Sequence, residues 1–147
     1  MKIIFLGAPG SGKGTQAQKI SLEKKICHIS TGDVLRKEIA RGSELGKTVQ
    51  EILQRGELIS DELALDLLRN YLEAHFECEK GFILDGFPRT IEQAKQLDDF
   101  LLENKTKIDY VILLKVEDEI IVDRLSNRLY CKTCSLTYNK YTNPPHS

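Results

Sequence analysis

The sequence has almost no net charge: 21 basic and 22 acidic side chains leave it at −1 over 147 residues. That removes any bulk electrostatic case for nucleic acid or an anionic membrane as a partner. A long hydrophobic run is also lacking. The apolar stretch Lys2-Ile3-Ile4-Phe5-Leu6 is short and runs into a glycine-rich loop. It reads as neither a signal peptide nor a spanning helix, so a cytoplasmic protein is expected. No internal repeat, low-complexity tract or linker interrupts the chain. No Ser-His-Asp or Cys-His pattern offers a nucleophilic site. His28 has no metal-ligand neighbour in sequence and reads as a strand-end side chain. Cysteine is scarce, with four in all. Cys27 and Cys78 stand alone and are expected to be unpaired thiols, whereas Cys131 and Cys134 form a C-x-x-C. What remains is one globular domain by length, large enough to bury a core.

What is present begins at Gly7-Ala8-Pro9-Gly10-Ser11-Gly12-Lys13-Gly14-Thr15. A β-prone run precedes it and a helical stretch, 16–25, follows. Strand, glycine-rich loop, helix is the context in which G-x-x-x-x-G-K binds phosphate. The glycines let backbone N–H groups turn inward, the helix adds its positive end, and Lys13 brings a mobile charge. Gly14 follows the lysine, and the hydroxyl comes one place later, at Thr15.

Further along, 26–29 reads as a second strand and Ser30-Thr31-Gly32-Asp33 as a polar turn into a helix over 34–40. Leu45, Val49, Ile52 and Leu53 carry the spacing of the next helix, which stops at Gly56. Ser60 caps a helix with acids in its first turn and a stripe from Ala64 to His75. Phe82-Ile83-Leu84 is continuous in apolar character, as a buried parallel strand is, and ends in Asp85-Gly86-Phe87-Pro88-Arg89. Thr90 and Gln93 form a capping box for a helix reaching about residue 104. A fourth strand is expected over 110–116. A last helix opens at Glu117 and carries Arg124 and Arg128 on one face. Alternating strands and helices predict an α/β fold with a mostly parallel sheet and ligands beyond the strands' carboxyl ends. Lys13, Arg36, Arg89, Arg124 and Arg128 then converge on one rim, as phosphoryl transfer requires. Asp85, at a strand tip, has the Walker-B placement for Mg²⁺.

G-A-P-G-S-G-K-G-T at 7–15, S-T-G-D-V-L-R at 30–36, G-E-L-I-S-D-E at 56–62, D-G-F-P-R-T at 85–90 and D-R-L-S-N-R at 123–128 together resemble the adenylate kinase family. The resemblance is ordered and runs from residue 1 to about 145. It implies a P-loop NTPase-type parallel sheet flanked by helices, with a core of 1–29 and 60–126. A small AMP-binding domain would span 30–59, and an incomplete lid 127–147. The implied activity is Mg²⁺-dependent, reversible transfer of the γ-phosphoryl of ATP to AMP, giving two ADP, by a monomer.

In that frame Gly10, Ser11, Gly12, Lys13, Gly14 and Thr15 cradle the ATP phosphates, with Arg124, Arg128, Thr137 and Tyr138 also facing ATP. Thr31, Arg36, Glu57, Leu58, Ile59, Gly86, Phe87, Pro88, Arg89 and Gln93 line the AMP site. Arg36 and Arg89 grip the AMP phosphate, and Gln93 reads adenine. Lys13, Arg89 and Arg124 are the catalytic group, with Asp85 associated with Mg²⁺. Thr31 and the C-x-x-C lid favour AMP over a pyrimidine monophosphate, whose kinases are the alternative. Long-lid members hold a structural zinc with a second pair of ligands, so Cys131 and Cys134 supply half a site. The family's remaining lid, fifth strand and final helix have no counterpart before Ser147. An open sheet edge, a disordered end after about Leu129 and impaired turnover are therefore expected. A nucleotide-binding fragment without turnover is the other reading.

Overall fold

The computed structural model describes residues 1–133 and 137–145. Four parallel strands form the centre: β1 (Lys2–Leu6), β2 (Cys27–Ser30), β3 (Phe82–Asp85) and β4 (Tyr110–Leu113), in the order β2-β3-β1-β4. Their register aligns Ile4 with Leu84 and Val111, and Ile29 with Leu84. Parallel neighbours need crossover connections, and the helices provide them. These are α1 (Lys13–Lys24), α2 (Thr31–Arg41), α3 (Glu44–Gln54), α4 (Asp61–Ala74), α5 (Ile91–Glu103) and α6 (Asp118–Ser126).

Successive strand residues face opposite ways, and the core divides accordingly. Ile4, Ile29, Phe82 and Leu84 join Val34, Leu65, Leu68, Phe87, Leu97 and Leu101 in the larger cluster. Ile3, Phe5 and Ile83 pack with Ala17 on the other face, under α1. The starts of α4 and α5 follow the sequence, whereas α1 begins at Lys13 rather than 16 and α2 at Thr31 rather than 34. The hydroxyls of Ser43, Ser60 and Thr90 accept from the backbone N–H groups of Gly46, Leu63 and Gln93. Each satisfies an amide that the helix itself leaves without a partner.

Four expectations are corrected. Cys27 and Cys78 are not lone thiols but a disulfide, with Cα atoms 5.3 Å apart. A 3₁₀ turn at Phe76–Lys80 folds back before β3, which pairs Phe82 with Cys27, and so brings Cys78 alongside. The fourth strand ends at Leu113 rather than 116. Leu114 N–H still bonds Leu6 O, but the chain then turns towards α6. Arg124 and Arg128 do not share a helix face: α6 stops at Ser126, and the Asn127 side chain bonds Asp123 O just after it. Finally, the described residues after Leu129 are not formless. β5 (Arg128–Tyr130) pairs antiparallel with β6 (Thr137–Asn139). The Asn139 carboxamide oxygen accepts from the amides of Tyr141 and Thr142 and holds the following turn. Cys134 lies outside the described residues.

β4 is one edge of the sheet, β2 the other, and in β4 Tyr110, Val111, Ile112 and Leu113 are all exposed, as are Ile120, Val122 and Leu125 of α6.

Candidate functional site

Gly7 leaves β1 with φ +147°, and a Cβ there would lie 2.7 Å from the Leu114 carbonyl oxygen. A side chain at that position would clash with the β4 exit, so the loop can turn here only as glycine. The loop then wraps to α1, whose N-cap is Gly12 and whose first turn carries no acid. The positive end of that helix is thus left uncompensated, as an anion site needs. Lys13 Nζ folds back over the loop and donates to Gly7 O (2.7 Å) and Ala8 O (3.0 Å). Ser11 Oγ is buried, with no hydrogen-bond partner among the described residues.

Burial holds the Lys13 ammonium below the usual lysine range, and Arg89 and Arg128 push it the same way, while Asp85 opposes them. These three partners come from the end of β3, the segment after it, and β5, and all of them line one cleft with Lys13. The cleft they enclose has a volume of about 1510 Å³.

Asp85 ends β3. Its carboxylate is 3.3 Å from His28 Nε2, and its carbonyl oxygen lies 3.5 Å from Thr31 Oγ1. The pairing of Ser30 with Asp85 in the ladder explains why these residues meet. A Cβ on Gly14 would come within 3.4 Å of the Asp85 carboxylate, so the residue after Lys13 faces this acid directly. Gly86 has φ +90°, and a Cβ would sit 2.6 Å from Thr31 Oγ1. Only glycine lets β3 pass that close to the start of α2. Arg89 Nε donates back to Gly86 O (2.8 Å). Arg36 pairs with Asp33 at the start of α2. Arg124 Nη1 reaches Gly10 O (3.3 Å), and Arg128 Nη2 lies 3.4 Å from Thr137 Oγ1.

The cleft therefore gathers the loop residues 10–15 with Thr31, Arg36, Asp85, Gly86, Pro88 and Arg89, and with Arg124, Arg128, Thr137 and Tyr138. Glu57, Leu58, Ile59, Phe87 and Gln93 do not line it. Leu58 is 95% exposed, whereas Phe87 is buried in the core. Gln93 has both ends of its amide engaged. Its oxygen accepts from Arg89 N–H (2.7 Å) and its NH₂ donates to Asp61 (2.8 Å). The capping box is thus shifted by one, since the Gln93 side chain reaches the residue before the N-cap Thr90 rather than Thr90 itself.

Sequence reasoning missed His28, which touches the Asp85 carboxylate, and Asp123, Thr142 and Asn143, which also line the cleft. The register of β2 on β3 carries the His28 contact, and no local pattern encodes it.

A profile of the adenylate kinase family matches residues 5–144. The chain belongs to the adenylate kinase family. An adenylate kinase of Clostridium kluyveri is 49% identical over 145 residues, covering 99% of this chain and 66% of the relative. One from Thermosipho africanus is 48% identical, covering 99% and 67%. One from Aspergillus terreus is 44% identical, covering 99% and 56%. The chain thus spans roughly half to two thirds of the length of these adenylate kinases.

No group of three or more His, Cys, Asp or Glu side chains able to hold a metal ion occurs among the described residues. No helix among the described residues is long and apolar enough to cross a membrane.

Proposed function

We propose that the cleft binds ATP on the phosphate loop and AMP opposite it, and passes the γ-phosphoryl group between them. The observation that carries this reading is the setting of Lys13. Its ammonium sits on the loop carbonyls, at the positive end of α1, with Asp85, Arg89 and Arg128 acting on it from separate segments. Phosphoryl transfer depends on such positioning and charge rather than on a covalent nucleophile.

In this reading the amides of 10–15 and the Ser11 hydroxyl receive the ATP phosphates, with Arg124 and Arg128 beside them. Lys13 exchanges its carbonyl partners for phosphate oxygens. Arg36 and Arg89 hold the AMP phosphate at the other end, so the acceptor oxygen meets the γ-phosphorus in line. Residues 30–59, which carry α2 and α3, form the acceptor domain, and Glu57, Leu58 and Ile59 reach AMP only if that domain moves inward, while Gln93, on α5, reaches it only by giving up its bonds to Arg89 and Asp61. Thr137 and Tyr138 belong to the lid over ATP. A cytoplasmic monomer is part of the proposal.

Mg²⁺ fits the oxygen donors present: Asp85 at the strand tip and the hydroxyl of Thr15 on the cleft wall. Bound there, it would neutralise phosphate charge. Asp85 would hold it directly or through water, and His28 would fix the carboxylate's direction. Replacing His28 by alanine is expected to raise the Mg²⁺ concentration needed for half-maximal ATP binding by about 2–10-fold, the effect of one lost hydrogen bond. Glutamine, which can still donate to Asp85, should restore most of it. Mg²⁺ titrations followed by calorimetry measure both variants.

A coupled assay for ADP formed from ATP and AMP tests the proposal. Steady ADP production dependent on AMP supports transfer. Binding of both nucleotides without ADP would leave a binding module, and preference for CMP or UMP as acceptor would move the chain to the pyrimidine kinases.

A further inference from the structure

Arg36 is held on three sides. Asp33 pairs with its guanidinium from one turn earlier on α2. Gly32 presents bare backbone, where a Cβ would come within 3.3 Å of Arg36 Nη1. The third side comes from elsewhere in the chain: the Arg36 Cζ lies 5.8 Å from the centre of the Tyr130 ring, on β5. That is cation–π distance. Tyr130 stands two residues beyond Arg128, and alternate residues of a strand face the same way, about 7 Å apart. Arg128 lines the cleft. The face of β5 that carries Arg128 along the donor side therefore carries the Tyr130 ring on to the acceptor helix.

The three neighbours differ in what they take from Arg36. Asp33 occupies N–H donors that a phosphate would need, and must give them up when one arrives. An aromatic face attracts the cation through its quadrupole and leaves the donors in the guanidinium plane available. Tyr130 can therefore keep Arg36 in place both before and after that exchange.

We propose that Tyr130 is a positioning residue: its ring holds Arg36 ready for the acceptor phosphate and couples the β5–β6 hairpin to α2. This rests on Arg36 being an AMP-phosphate ligand, as proposed above. No hydroxyl chemistry is involved, so phenylalanine should serve as well as tyrosine.

The test combines binding with NMR on the full chain. Tyr130→Ala is expected to weaken AMP binding by about 2–5-fold, the range of an exposed cation–π contact. ATP affinity should stay unchanged, and Tyr130→Phe should bind AMP like the unmutated chain. In an Arg36→Ala background, Tyr130→Ala should have no further effect on AMP. Without nucleotide, the Arg36 side-chain protons should show an upfield ring-current shift that survives in Tyr130→Phe and is lost in Tyr130→Ala. An equal loss of ATP and AMP affinity, failure of phenylalanine to rescue, or absence of the ring-current shift would overturn the proposal. If the unmutated chain binds no AMP while the ring-current shift is present, the functional reading fails and the Arg36–Tyr130 contact stands as structure only.

Discussion

Lys13→Ala is expected to weaken ATP binding by roughly 10–100-fold, the loss of a charge-assisted contact to phosphate in a partly desolvated site. The effect should be specific. Lys47, exposed on α3 and paired with Glu44, is the control, and Lys47→Ala should leave binding unchanged. Stability without nucleotide should change little. Without nucleotide the Lys13 charge is disfavoured by burial, which Asp85 opposes and Arg89 and Arg128 reinforce, so removing it relieves a cost while losing the attraction to Asp85 and two bonds to Gly7 and Ala8. The sign of the titration is also fixed. Burial lowers the lysine's proton affinity in the empty chain, and an arriving phosphate raises it again. Nucleotide binding in the alkaline range should therefore take protons up at Lys13, and the uptake should vanish in Lys13→Ala. Calorimetry in buffers of different ionisation heat reads both the affinity and the proton count.

The second large effect concerns stability. Phe87 belongs to the G-F-P-R turn, which the family resemblance assigns to AMP. Its ring is nevertheless 2% exposed and packs in the main cluster with Val34, Leu84 and Leu97. Phe87→Ala should destabilise the fold by about 3–5 kcal/mol, the cost of truncating a buried aromatic and leaving a cavity. Domains are stable by only about 5–15 kcal/mol, so that loss is a large share of the total. Leu58→Ala, assigned to the same nucleotide but 95% exposed, should stay within about 0.5 kcal/mol of the parent. Urea denaturation separates the two. If Phe87→Ala also lowers AMP affinity, the loss should follow the unfolded fraction rather than persist in the folded chain.

The same pair shows what could be read from the sequence. Local chemistry was legible: the strand, loop and helix around Lys13, the caps at Ser60 and Thr90, and the acid at the tip of β3. Each is written within a few consecutive residues. Pairings across the sheet were not. β2 lies against β3, and that pairing places His28 beside Asp85, 57 residues away. It also brings Cys27 to Cys78, 51 residues away, where the sequence suggested two separate thiols. A helical spacing put Arg124 and Arg128 on one face, yet α6 ends between them and they reach the cleft from a helix and a strand. The motif at 86–89 named residues without saying which faced inward. Phe87 turned to the core, and Gly86 and Arg89 to the cleft. Tyr130 carried no sequence signal, because its partner Arg36 lies on a helix far away in the chain.

The central claim is that one cleft holds two nucleotides at once, a donor on the loop at 7–15 and an acceptor facing Arg36 and Arg89. The most direct measurement is a titration of AMP into the chain already saturated with a non-hydrolysable ATP analogue and Mg²⁺. The account predicts that AMP still binds, one per chain, and that Arg89→Ala weakens AMP without displacing the analogue. If AMP binds only by displacing the ATP analogue, the cleft has a single nucleotide site and the account is contradicted.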